Sequence, residues 1–380
     1  MKPRRLNPGA TVGVLGGGQL GRYFALSARQ NGYHVWVLDP DPQAPAMQIA
    51  SRAVAAGYDD KKALEEMANA CQAITIEFEN IPASSLELLN GMTQLAPGQQ
   101  SVQIAQDRLL EKREAAECGL TPVPHRAVES IEHIDAAWPE LSAPVILKTA
   151  RLGYDGKGQK TCHSVQEAKE AFVEFGSVSC VLEQRVDLAA ELSVVLARGF
   201  DGELAVFPVA QNTHVNGILF SSAVPADLPQ RVQTLAVEQG KALAESIAHV
   251  GILAIEFFID TQGTLYFNEM APRPHNSGHY TLDATACSQF DQQLRVLCGQ
   301  ALGSTSLHTP VAMINLLGDL WPSDNLPDFT QLLSTEGCQL HLYGKTAARA
   351  GRKMGHYNCL AENSDSALKK AIAQFDILNK

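Results

Sequence analysis

The chain has 380 residues, more than one hydrophobic core usually serves, so two or three domains are expected. Its 45% apolar and 19% charged residues are ordinary for a soluble globular protein. A net charge of −11 disfavours a general nucleic-acid or membrane-surface role, so any anion must meet a locally basic site.

The first element is the stretch "TVGVLGGGQLGR", an apolar run followed by glycines at 16, 18 and 21 and then a helical pattern through Leu20, Phe24, Ala25 and Ala28. Bare backbone N–H groups at such a strand-to-helix turn face an anion. "HVWVLDPDP" ends a second strand at Asp39, where a dinucleotide-binding enzyme keeps its ribose-binding acid. With "RAVAAG" and "AITIEF" these runs predict a parallel βαβ domain between residues 11 and 98, smaller than a complete dinucleotide fold. Glu77, at the end of "AITIE", falls where ligands of open α/β sheets gather.

A helix is predicted around Asp107–Cys118, and strands of antiparallel pattern follow from about residue 120 to 300, with two long helices interspersed. "VILKTARLGYDGKGQ" places Lys148 at the end of a buried strand, so it needs an anionic partner, for which a nucleotide phosphate is a natural choice. Its loop glycines, 153, 156 and 158, can close bare N–H groups on phosphate oxygens, although the spacing is not that of a Walker loop. "VLEQRVDLAAELSV" then offers Glu183 and Glu191 for adenine-edge or ribose contacts.

"ILAIEFFIDTQGTLYFNEMAPR" reads as a hairpin. A Thr261–Thr264 loop sets Asp260 against Leu265 and Glu256 against Glu269; a one-residue change in the loop sets Glu256 against Asn268 instead. Opposed glutamates destabilise a sheet unless a divalent cation lies between them, and Mg²⁺ commonly takes one or two carboxylates plus phosphate oxygens. "APRPHNSGH" adds Arg273, His275, Asn276 and His279 just beyond the strand end. "YGKTAARAGRKMGH" gathers Lys345, Arg349, Arg352 and Lys353 in an otherwise acidic protein, either as a solvated face or as a clamp for a 5′-phosphate. A closing helix is predicted over residues 364–377. The eight cysteines show no C-x-x-C and no metal-like spacing, and so are expected to be free, buried thiols of a reducing compartment. An apolar run too short for a secretory signal, and none near membrane length, predict a cytoplasmic protein.

The order of Arg108, Lys148 with "GYDGKGQ", "EQRV", Glu191 and "FNEMAPR" resembles the ATP-grasp superfamily over nearly the whole chain. Within it, "GGGQLGR", "EFENIP", "GYDGKGQ", "APRPHNSGH" and "GRKMGH" are most similar to the N5-carboxyaminoimidazole ribonucleotide synthetases of purine biosynthesis. The resemblance implies α/β and α+β architecture. Its units are an N-terminal βαβ (pre-ATP-grasp) domain over 1–103, a central ATP-grasp domain over 104–302 and a small C-terminal domain over 303–380, as a homodimer. The implied substrates are ATP, bicarbonate and aminoimidazole ribonucleotide, the cofactor is Mg²⁺, and neither nucleic acid nor membrane is a partner.

Carried over by position, the nucleotide contacts are Arg108, Lys148, Gly153, Asp155, Gly156, Lys157, Gly158, Gln159, Glu183, Gln184, Val186, Glu191, His214, Asn268 and Glu269. Glu256 and Glu269 are the implied metal ligands. Tyr154, Asp155, Arg273, His275, Asn276 and Lys345 are implied for the reaction chamber, with Arg349 a rival to Lys345. The ribonucleotide is expected at Gln19, Leu20, Glu77, Tyr154, Lys345, Arg352 and Lys353. A formate-dependent glycinamide ribonucleotide transformylase shares the fold and "GKGQ", but "GYD" and "HNSGH" resemble the carboxylating family better. An NAD-dependent dehydrogenase would leave the carboxylate hairpin and Lys148 unexplained. A non-catalytic nucleotide-binding regulator would not need Glu256, Glu269 and Lys148 together.

Overall fold

The structure, a computed structural model, describes residues 4–153, 158–321 and 326–379. Among these residues three sheets form. The first is parallel, built from β1 (Thr11–Leu15), β2 (His34–Asp39), β3 (Arg52–Ala55), β4 (Ala73–Ile76) and β5 (Gln94–Leu95) in the order β3-β2-β1-β4-β5. β1 and β4 are almost wholly buried because helices cover both faces, which is why they read as unbroken apolar runs. β3 lies at the edge and is largely exposed. Chain order reverses between β1 and β4; at their carboxyl ends the glycine turn follows β1 and Glu77 follows β4, and Gln19, Leu20 and Glu77 line the cavity there.

The second sheet contains β6 (His125–Val128), β7 (Val145–Thr149), β8 (Gln159–Cys162) and β9 (Cys180–Gln184), antiparallel in the order β6-β9-β7-β8. Helices Ile131–Ala137 and Val165–Glu174 pack on one another beside it, and Leu147, Leu182 and Phe172 belong to one buried cluster. This leaves Lys148 and Glu183 at the edge of a cavity described below.

The largest sheet runs β15-β14-β10-β12-β13-β16-β18-β17, with β11 paired to β10. Its members are β10 (Leu188–Arg198), β11 (Leu204–Val206), β12 (Ala210–Val215), β13 (Ile218–Val224), β14 (Gly251–Asp260), β15 (Leu265–Ala271), β16 (Val311–Leu317), β17 (Cys338–Leu342) and β18 (Lys353–Leu360). The C-terminal strands therefore extend the sheet carrying the carboxylate hairpin, and "GRKMGH" enters it at Lys353. Alternation along β14 turns Leu253, Ile255, Phe257 and Ile259 into the core under helix Gln230–Ser246, and sends Glu256 and Phe258 to the cavity side.

One expectation fails. Cys338 and Cys359 are register partners across β17 and β18, with Cα atoms 4.2 Å apart, and are joined as a disulfide. Strand pairing brings together two thiols separated by 21 residues, which no local spacing reveals. The other six cysteines are free, and five of them are buried. Among the described residues no helix is long and apolar enough to cross a membrane.

Candidate functional site

The site begins at the hairpin. Next to the turn, Ile259 pairs with Leu265, one residue out of step with the Asp260–Leu265 pairing expected from the loop. Continued along the strands, that register would oppose Glu256 to Asn268. A bulge between Phe257 and Glu256 absorbs one residue of β15 and restores the Glu256–Glu269 pair. Both alternatives left open by the loop thus meet in one structure.

Helix Arg108–Glu117, capped by Asp107 through the N–H groups of Leu109 and Leu110, braces the bulge. Positions 108, 111 and 112 share one helical face, and each contacts β15. Arg108 Nη1 is 2.7 Å from Glu269 Oε2, Lys112 Nζ donates to the Asn268 carbonyl at 3.2 Å, and Glu111 accepts from the Met270 N–H. Burial, and after it the Glu269 charge, pushes the Glu111 carboxyl up to about 8. Lys112, fully buried, also reaches Glu183 Oε1 at 2.9 Å, while Lys148 Nζ reaches Glu183 Oε2 at 2.6 Å. Glu183 is thus the anionic partner of Lys148 in this structure, and it bridges two buried ammonium groups. Sequence reasoning missed Glu111 and Lys112 because "RLLEKREAAE" has the charge pattern of a solvated helix.

Two cavities meet at this hairpin. One, of about 290 Å³, is lined by Gln19, Leu20, Glu77, Glu79, Gly153 and Arg273. The other, of about 350 Å³, is lined by Lys148, Gln159, Glu183, Gln184, Val186, Glu191, His214 and Asn268. Arg108, Glu256, Glu269, His275, Asn276 and Lys353 line both. Burial, reinforced by Glu269, pushes the Glu256 carboxyl above its ordinary range. The Glu269 side chain is 38% exposed, and Arg108 and Lys148 outweigh its partial desolvation and hold the carboxyl below that range. Burial, followed by the charges of Arg273 and Lys353, pushes His275 down to about 3. His214 makes a short contact with Glu191; burial alone would lower its pKa, but the Glu191 contact and the surrounding carboxylates raise it.

Asn268 Oδ1 and both side-chain polar atoms of Asn276 are buried and have no hydrogen-bond partner among the described residues, which leaves them open to a ligand in the cavities. No described cluster of three or more His, Cys, Asp or Glu side chains could hold a metal by itself. Glu256, Glu269 and the orphaned Asn268 oxygen form a hard-oxygen donor set that needs ligand oxygens to complete it, and this suits Mg²⁺.

At the glycine turn, the N–H groups of Gly18 and Gly21 donate to the two oxygens of Glu77, at 2.6 and 2.5 Å. The helix start that reads as an open phosphate cradle therefore carries a carboxylate of the chain itself at these two donors. Asp39 accepts from the N–H groups of Gly17 and Asp41 and from the Tyr58 hydroxyl, so it serves the turn and not a ribose. Gly16 has φ +106°, and a Cβ there would lie 2.2 Å from Glu77 Cγ. Gly16→Ala is expected to destabilise the fold by about 1–3 kcal/mol, read as a lower urea midpoint. An unchanged midpoint would contradict the docked position of Glu77.

Glu79 was not singled out from the sequence, although it follows Glu77 by two residues at the same strand end. It pairs with Arg273, which overcomes the upward push of burial and holds the carboxyl below its ordinary range. Of the basic cluster, Lys353 reaches both cavities, whereas Lys345 and Arg352 line neither. Lys345 Nζ donates to the Lys353 carbonyl at 2.7 Å, and Arg352 donates to the Ala347 carbonyl. Consecutive residues entering a strand point to opposite sides, which separates Arg352 from Lys353. Gly158 is described but lines neither cavity. Tyr154, Asp155, Gly156 and Lys157 lie outside the described residues.

Residues 9–106 match the ribonucleotide synthetase preATP-grasp domain, 113–290 the ATP-grasp domain and 311–370 the phosphoribosylaminoimidazole carboxylase C-terminal domain. A curated N5-carboxyaminoimidazole ribonucleotide synthase of Brucella melitensis is 42% identical over 358 residues, covering 94% of this chain and 98% of the relative. An ADP complex of an N5-carboxyaminoimidazole ribonucleotide synthetase superposes with a TM-score of 0.92 at 42% identity, over 99% of this chain and 100% of that one. The Aspergillus clavatus N5-carboxyaminoimidazole synthase, solved with ADP and 5-aminoimidazole ribonucleotide, gives a TM-score of 0.89 at 27% identity over 100% of both chains.

Proposed function

We propose a division of labour within a chain that belongs to the N5-carboxyaminoimidazole ribonucleotide synthase family of ATP-grasp ligases. The enzyme carboxylates 5-aminoimidazole ribonucleotide at the expense of ATP in purine biosynthesis. The observation that carries the assignment of sites is the wall common to the two cavities. The larger cavity takes ATP, and the smaller takes the ribonucleotide with bicarbonate. The functional units are residues 1–103, 104–302 and 303–380.

A bicarbonate oxygen attacks the γ-phosphorus, ADP leaves, and carboxyphosphate forms at the shared wall. Its C–O bond then breaks to give CO₂ and phosphate, and the ribonucleotide amine attacks CO₂ and gives up a proton. Phosphoryl transfer needs positioning and charge neutralisation more than covalent help. Lys148 and Arg108 supply fixed positive charge on the ATP side, and Asn276, whose amide has no partner among the described residues, offers it to the transferring group. Glu256, Glu269 and Asn268 would hold Mg²⁺, which when bound neutralises phosphate oxygens. Lys353 lines both cavities and is proposed to share the chamber role with Lys345. Gln19, Leu20 and Glu77 bound the ribonucleotide end. Asp155 remains the proposed proton acceptor for the amine. The active form is a cytoplasmic homodimer.

With Mg·ATP and aminoimidazole ribonucleotide, ADP release should depend on bicarbonate and stop on chelation of the metal. Turnover only with glycinamide ribonucleotide and formate would move the chain to the transformylase, and turnover with neither pair would favour a regulator.

A further inference from the structure

His275 begins the short 3-10 turn Asn276–Gly278, and its Nδ1 faces two groups of Ser277: the backbone N–H at 3.3 Å and the hydroxyl at 2.9 Å. A backbone N–H can only donate, so Nδ1 must accept, and the single proton of the neutral ring is left on Nε2. The Ser277 hydroxyl is itself held from behind. Ser193 Oγ on β10 lies 2.8 Å from Ser277 Oγ, and both serines are at most 1% exposed. If Ser193 donates to Ser277, the Ser277 proton is directed at Nδ1. Gln289, fully buried, fixes the residue as a whole by accepting from the His275 N–H at 2.9 Å and donating to its carbonyl at 2.8 Å. On the opposite ring edge, Nε2 lies 3.7 Å from Glu256 Oε1, at the wall shared by the two cavities.

We propose that Ser193 and Ser277 are positioning residues that lock His275 in its Nε2–H tautomer, so that it serves as a fixed N–H donor to an oxyanion of the transferring group. A ring held this way cannot accept the amine proton through Nε2, which leaves that task to another residue. This inference rests on the site assignment above only for the identity of the oxyanion; the tautomer itself is a property of the ligand-free chain. A donor already aimed at the position where charge develops needs no reorganisation during the reaction.

The test is a long-range proton–nitrogen NMR correlation on the full-length, ligand-free protein labelled with ¹⁵N-histidine. The His275 signal is assigned by its loss in His275→Gln. The expected spectrum shows a pyrrole-type Nε2 and a pyridine-type Nδ1. Ser277→Ala keeps the backbone donor at 3.3 Å but loses the closer hydroxyl at 2.9 Å, so it should reduce the excess of the Nε2–H tautomer and lower kcat about tenfold, as expected for one lost hydrogen bond, with KM for ATP unchanged. Ser193→Ala, on a different element, should move both readouts in the same direction. A pyrrole-type Nδ1 in the wild type would overturn the proposal, as would folded serine variants with unaltered spectrum and rate. Because the spectrum needs no substrate, it is decided separately from the turnover assay.

Discussion

Glu269→Gln should abolish ADP release, with a loss of roughly three orders of magnitude or more in kcat, while the protein remains folded. The carboxylate has two partners that glutamine cannot serve equally: Arg108 at 2.7 Å and the cation that would sit between it and Glu256. Neutralising charge on the transferring phosphate is worth several kcal/mol, and each 1.4 kcal/mol is a factor of ten. The amide keeps the volume of the side chain and still accepts a hydrogen bond from Arg108, so the bulge should persist. Circular dichroism and urea midpoint near wild type, together with lost turnover, are the expected pair of results. Activity within a few fold of wild type would remove Glu269 from the metal site.

Glu183→Ala should instead act on the fold, costing about 3–5 kcal/mol. Glu183 is 1% exposed and neutralises two ammonium groups, Lys112 at 2.9 Å and Lys148 at 2.6 Å. Removing it leaves two buried cations without this shared carboxylate, with the Asn268 carbonyl as the remaining hydrogen-bond acceptor of Lys112 among the described residues. Burial alone would raise the Glu183 pKa, but Lys112, Lys148 and Arg108 outweigh it and hold the carboxyl far below its ordinary range. A folded-state pKa depressed in this way contributes stability that is fully present above the unfolded value, about 4.3, and is lost as pH falls through the folded one. Wild-type stability should therefore decline below about pH 4, whereas a Glu183→Gln variant should start lower and change less over that interval. Equal midpoints for wild type and Glu183→Ala near neutral pH would show that the buried triad is not a stabilising unit.

Much of the site was legible because its residues lie in short, local motifs with an evident physical demand. Lys148 among Val, Ile and Leu needed an anion, and Glu256 in an apolar strand needed a counter-charge. What those demands left open was the identity of the partner. Lys148 is served by Glu183 from a neighbouring strand, and Gly18 and Gly21 by Glu77 from another strand end. In both cases a residue expected at a ligand also holds another part of the protein. Lys353 and Lys345 are equal members of a basic run in sequence; only the entry of the chain into β18 sets Lys353 in the lining of both cavities, with its carbonyl accepting from Lys345.

The sequence by itself determined the parallel N-terminal sheet, the carboxylate hairpin and the family. Each follows from apolar periodicity or from motifs in order along the chain, which are local properties. The tertiary structure decided the bulge that opposes Glu256 to Glu269, the brace from Arg108, Glu111 and Lys112, the Cys338–Cys359 bond and the hydroxyl pair behind His275. These are contacts between segments 21 to 161 residues apart or, at the bulge, a register shift that turn chemistry does not encode. Which polar group meets which across such separations is set by the packing of whole elements, and that information is spread over the entire chain.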